Sequence, residues 1–202
     1  MLGAPAMLGG ALGYIGATLV PAAWHHAARW TLMSETMKSH AVGPRVLRLP
    51  AQVTAVTGQA VVGAGALYLA LAGTAGTRSL TVWVLTASLA LSAAFLGYVR
   101  ALRRSGRRVP CGCYSLRAAE HAASASYTPS LALGVAAAIG LAAISVAPHA
   151  GVDATPTFAG RLMLVALGVA LSVLVQCLAL SRGSEPDQPS SGSAALPVGV
   201  RP

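Results

Sequence analysis

Five apolar runs decide what this chain can fold into. Residues 4–23, 51–73, 80–99, 128–147 and 161–180 contain no Asp, Glu, Lys or Arg, apart from Arg161 at the first position of the last run. About 20 apolar residues in a helix cover the hydrocarbon core of a bilayer, and each run reaches that length. Inside lipid the backbone must satisfy its own polar groups, which makes helices the structure for runs of this kind. The polar surface of a soluble globule is missing as well. Only 9% of the 202 residues are charged and 55% are hydrophobic, where soluble domains carry about 25% charged residues. The expected fold is therefore an all-α integral membrane protein, a multi-pass bundle in the plasma membrane.

The composition of the runs suggests how they pack. Aromatics make up only 5% of the chain and Gly is abundant, and small residues let membrane helices approach closely. Gly9 and Gly13 form one such pair on the first run. The link 74–79 between the second and third runs is short, so those helices should be antiparallel neighbours. Residues 24–50 differ in character. Trp24, Ala28, Leu32, Met33 and Met37 recur at helical spacing, while His25, His26, Arg29 and Lys38 fall largely elsewhere. This pattern predicts an amphipathic helix along the membrane surface, ended by Gly43-Pro44. Residues 1–180 thus read as one transmembrane domain. Residues 181–202, rich in Ser, Pro and Gly without apolar periodicity, read as a disordered tail. No Lys or Arg precedes Arg29, so the first run reads as a retained helix rather than a cleaved leader.

The net charge of +9 has a topological reading. The segment 24–50 holds four Lys or Arg and 100–127 holds six, against one in 74–79 and none in 148–160. Basic loops mark the cytoplasmic side, so five spans with the N-terminus outside put both basic segments in the cytoplasm. The arginines flank apolar runs and no recognition module accompanies them, so nucleic acid is not an expected partner.

The chemistry concentrates in Arg107-Arg108-Val109-Pro110-Cys111-Gly112-Cys113-Tyr114, between the third and fourth runs. Two of the three cysteines stand here, one residue apart. A Cys-x-Cys disulfide closes a small ring, and strain in such a ring makes the bond easier to reduce. Gly112 tolerates the torsions this needs, and Pro110 fixes the approach to Cys111. Arg107 and Arg108 favour thiolate over thiol and so raise reactivity. The same pair suits a soft metal, Cu(I) or Zn(II), with help from His121 or from His25 and His26. Cys177, inside the last run, reads as a small buried hydrophobe, and His25 and His26 read as interfacial polar residues.

This segment resembles the basic, Pro-Cys-Gly-Cys-aromatic signature of the MauE family, methylamine-utilisation-type membrane proteins related to DoxX. The position of the signature between the third and fourth runs is similar too. The stretch Gly58-Gln59-Ala60-Val61-Val62-Gly63 is similar to the Glu-Leu-x-x-Gly stretch of the wider group. The resemblance covers roughly residues 5 to 147. Tyr114-Ser115 stands where the family has Phe-Gly, Gln59 stands where it has an acid, and the fifth run exceeds its four spans. The resemblance implies a DoxX-like four-helix transmembrane bundle, here with a fifth C-terminal span and the interfacial helix. It also implies Cys111 and Cys113 as a redox pair framed by Pro110 and Gly112. The implied role is thiol–disulfide exchange with a thioredoxin-like partner during maturation of exported proteins.

With one convincing cysteine pair, electrons cannot cross the membrane by a cysteine relay alone. The chain needs a thioredoxin-like partner, a quinone, or both, although no quinone motif or other cofactor signature is evident. A soft-metal protein and a non-catalytic membrane scaffold are the competing readings. No Asp, Glu, Lys or Arg lies mid-span, where a transporter would carry one. No Ser/His/Asp pattern or phosphate loop stands out.

Overall fold

In the computed structural model the described residues are 4–40, 45–74, 76–104, 128–146 and 157–183. They form six α-helices: α1 (Ala4–Ala28), α2 (Trp30–His40), α3 (Arg48–Ala72), α4 (Arg78–Arg104), α5 (Thr128–Val146) and α6 (Phe158–Gly183). A single 3-10 turn, Arg45–Leu47, leads into α3. Four helices are long and apolar enough to cross a membrane: α1, α3, α4 over Arg78–Leu102, and α5. In α6 the apolar stretch is shorter, Ala159–Val175. The chain is thus an all-α membrane protein, as the apolar runs predict.

The boundaries follow local chemistry. The helix α1 runs through Pro21 and past the apolar run to Ala28, taking in Trp24, His25 and His26. The surface helix α2 therefore starts only at Trp30. Where α5 begins, Pro129 occupies the first turn, where a missing N–H costs no helical bond. At the end of α3, Gly73 takes φ +91°, a left-handed value that Gly reaches without a Cβ penalty, and its N–H donates to Leu69 O at 3.0 Å. This closure is typical of helix C-termini.

The central helix is α1, packed against α3, α5 and α6. Its Leu12, Ile15 and Leu19 meet Val62, Ala66 and Leu69 of α3, Val84 and Leu85 of α4, and Leu133 and Ala137 of α5 in one buried cluster. Large apolar side chains on the outer helices face outward instead, among them Val61, Tyr68, Trp83, Val135, Met163 and Leu167. A continuous apolar exterior of this kind suits lipid rather than water.

Small residues set the closest approaches. A Cβ on Gly13 would lie 3.1 Å from Val165 Cα, and one on Gly168 would lie 2.5 Å from Tyr14 N. The face of α1 that carries Gly9 and Gly13 therefore seats α6. On another face, a Cβ on Gly63 would lie 3.0 Å from the Val20 backbone nitrogen, so α1 and α3 are equally close. Without a hydrophobic force between helices in lipid, such fits and a few polar contacts hold a bundle together. The Thr18 hydroxyl donates to Tyr14 O at 2.8 Å and meets the Ser172 hydroxyl across to α6 at 3.0 Å. The Ser92 hydroxyl of α4 donates to Ser130 O of α5 at 2.5 Å. Interhelical bonds of this type average about 0.6 kcal/mol each in membranes.

The paired residues give the helix directions. Gly58 meets Leu91 and Gly65 meets Val84, so α3 and α4 are antiparallel, as the short link predicts. Gly134 meets Ser92 and Gly140 meets Leu85, so α4 and α5 are antiparallel. Gly13 meets Val165 and Thr18 meets Ser172, so α1 and α6 run parallel. At the α6 start, Arg161 donates from one guanidinium nitrogen to Ala72 O at 2.6 Å and Leu71 O at 3.2 Å. A cation on the last carbonyls of α3 complements the helix dipole, worth about 0.3–1 kcal/mol at exposed sites.

Candidate functional site

The segment holding Arg107, Arg108, Pro110, Cys111, Gly112, Cys113 and Tyr114 lies outside the described residues, as does His121. Its two anchors are described. Arg104 ends α4 and Thr128 begins α5. Because α1, α3, α4 and α5 alternate in direction along the chain, these anchors share one end of the bundle with the α1 C-terminus, α2 and the start of α3. The basic residues gather at that end: Arg29, Lys38, Arg45, Arg48, Arg100 and Arg104. Arg78 and Arg161 mark the other end. The two basic segments recognised in the sequence are thus brought to the same face by the fold, with the cysteine-bearing segment tethered there.

Two polar clusters lie at this end, inside the bundle. The first joins α1 to α3. His26 Nδ1 donates to Gln59 Oε1 at 2.9 Å. His26 is buried and Gln59 is fully buried. The Gln59 amide nitrogen is buried without a hydrogen-bond partner among the described residues. His26 therefore departs from the interfacial expectation, because α1 continues as a helix beyond residue 23 and turns His26 inward onto α3. Its ring is held by the residue that replaces the acid of the resembling stretch. The second cluster joins α2 to α3. The Gln52 amide nitrogen donates to Trp30 O at 3.1 Å, and the Ser34 hydroxyl donates to Gln52 Oε1 at 3.2 Å. Gln52 is almost fully buried and ties the surface helix down onto the first turns of α3.

The Gln59 contact makes a testable statement about stability. Gln59→Leu removes the acceptor and leaves the His26 Nδ1–H facing apolar atoms, a loss of about 1–3 kcal/mol. Adding His26→Leu to Gln59→Leu should cost less than His26→Leu costs alone, because the Nδ1–Oε1 bond is already gone. Thermal unfolding of the detergent-solubilised chain and its variants measures both effects.

Cys177 corrects its sequence reading. It is a free thiol exposed on α6, not a buried one. The helix α6 meets α1 through Gly168 and Ser172, and at about 100° per residue Cys177 lies on the opposite side from Gly168. Among the described residues no three His, Cys, Asp or Glu side chains come together as a metal site. The clusters that sequence reasoning missed had one visible signal each, a glutamine within an otherwise apolar run.

The family model described as methylamine utilisation protein MauE matches residues 5–150. No curated protein and no solved structure matches.

Proposed function

The chain belongs to the MauE family, and on that premise we propose that it is a membrane thiol–disulfide exchange component working through Cys111 and Cys113. The observation that carries this reading is the Arg107–Tyr114 segment itself, a Cys-Gly-Cys with two preceding arginines inside the matched residues. The tethering of that segment to the basic end of the bundle supports it.

The exchange runs in two steps. The Cys111 thiolate, the sulfur nearer Arg108, attacks one sulfur of a partner disulfide. The partner's S–S bond breaks, a mixed disulfide forms, and the released partner thiolate takes a proton. The Cys113 thiolate then attacks Cys111 sulfur and releases the second partner thiol. Two electrons have passed to the partner, and the chain holds a Cys111–Cys113 disulfide. The reverse sequence oxidises a partner dithiol. A thioredoxin-like protein fits the partner role, and a second such protein or a quinone would return the pair to its starting state. This chemistry suits maturation of exported proteins. The tie to methylamine utilisation comes from the family's description and not from any residue here.

The accumulation of Lys and Arg at the cysteine-bearing end favours a cytoplasmic position for that end. Membrane-impermeant thiol labelling in intact cells tests position and chemistry together, in a Cys177→Ala background because that thiol is exposed. The expected result is labelling of Cys111 and Cys113 only after permeabilisation, increasing with prior reduction. Labelling of intact cells after treatment with an impermeant reductant would reverse the orientation and keep the redox pair. Thiols insensitive to reductant but protected by a chelatable metal would replace the redox reading with a soft-metal site.

A further inference from the structure

A cleft of about 590 Å³ opens between α2 and the start of α3, lined by Ser34, Met37, Lys38, Arg45, Arg48, Leu49 and Gln52. Three of these side chains are cationic. The Lys38 ammonium pairs with Glu35 at 2.7 Å on an exposed stretch of α2. No ion pair of Arg45 or Arg48 occurs among the described residues. The Arg48 Nε is buried and makes no hydrogen bond there. A buried N–H of a guanidinium without an acceptor is costly, and an anion in the cleft supplies the missing acceptor. Gln52 does not do so: its oxygen accepts from Ser34, its nitrogen donates to Trp30 O, and Arg48 Nε makes no bond to it. The first turn of α3 adds partial positive charge to the same place.

The cleft also has an apolar side. Met37 and Leu49 line it, and Leu49 is 61% exposed. It lies where the helix α2 meets the start of α3, a helix long and apolar enough to span a membrane. We propose that the cleft binds a phosphate-bearing anion, with Arg45 and Arg48 as its charge partners, and that the apolar rim admits the glycerol and upper acyl chain of an anionic phospholipid. Guanidinium groups match phosphate oxygens in geometry as well as charge. Anion binding in this cleft does not depend on the cysteine chemistry and stands whether or not that reading holds.

The test uses the full chain purified in detergent, titrated with phosphatidylglycerol, phosphatidylcholine or inorganic phosphate, with bound species counted by native mass spectrometry. The wild-type chain should retain one phosphatidylglycerol in clear preference to phosphatidylcholine. Arg45→Gln should weaken that binding about fivefold, and Arg45→Gln with Arg48→Gln about 25-fold, at about one basic residue's worth of surface attraction per arginine. Arg100→Gln with Arg104→Gln, a charge-matched change at the same end, should leave it within about twofold. Inorganic phosphate that displaces the lipid and binds equally well identifies a free anion as the source and keeps the site. Equal loss in both double variants would reduce the effect to overall charge and overturn the proposal. So would undiminished binding in Arg45→Gln, an exposed change that spares the fold if the double variant fails to fold.

Discussion

Cys113→Ser should trap the chain as a stable mixed disulfide with its partner, while Cys111→Ser should form none. Both variants should lower exchange by on the order of a hundredfold or more. The asymmetry follows from the division of labour between the two sulfurs. The first sulfur opens the partner disulfide. The second sits one residue away, at a high effective concentration, and resolves the adduct. Removing the second leaves resolution to dilute external thiols. Removing the first removes the attacking atom. Non-reducing electrophoresis of membranes from each variant, with a thioredoxin-like protein supplied, separates the cases. A trapped adduct in Cys111→Ser alone would exchange the roles of the two cysteines. Full turnover in both variants would reduce the segment to a scaffold.

Gly168→Leu should be the most damaging single change in the described helices, costing about 3 kcal/mol or more. Even a Cβ at this position would lie 2.5 Å from Tyr14 N and 2.6 Å from Gly13 C. Those atoms belong to the backbone of α1 and cannot rotate away, so α6 must separate from α1 to admit the side chain. Separation breaks the Thr18–Ser172 contact and opens the apolar contact with Val165. The same substitution at Gly97, where a Cβ meets nothing within 4 Å, should shift the melting temperature little. Parallel thermal unfolding of the two variants, in detergent and in bilayers, gives the comparison.

Much of the fold is legible in the sequence because the bilayer demands it. Long uncharged runs can only be helices there, and α1, α3, α4 and α5 lie over the runs that predict them. The Gly9/Gly13 spacing likewise foretells a packing face, because only small residues admit a second backbone so closely. What the sequence hides is which side of an apolar helix faces its neighbours. A helix that is apolar all round has no polar stripe to orient it, so nothing in the run 161–180 tells that Cys177 points outward and Ser172 inward. His26 is hidden for a related reason. Beside Trp24 and Arg29 it looks interfacial, and only the inward turn of α1 onto Gln59 buries it. The candidate cysteine site is the converse case. Its candidate residues stand out in the sequence as Cys111-Gly112-Cys113, while the fold contributes the anchors on either side, Arg104 at the end of α4 and Thr128 at the start of α5.

The parallel pairing of α1 and α6 has a consequence for biogenesis. The ribosome makes α1 first and α6 after every other described helix, yet each fills the glycine-lined surface of the other. The Gly9/Gly13 surface can therefore meet Leu164 and Val165 only once α6 has been made. The bundle closes when α6 arrives and Arg161 latches onto the end of α3. The contact of α1 with α6 thus joins the first and last of the described helices, and it lies partly beyond residues 5–150, the part shared with the family.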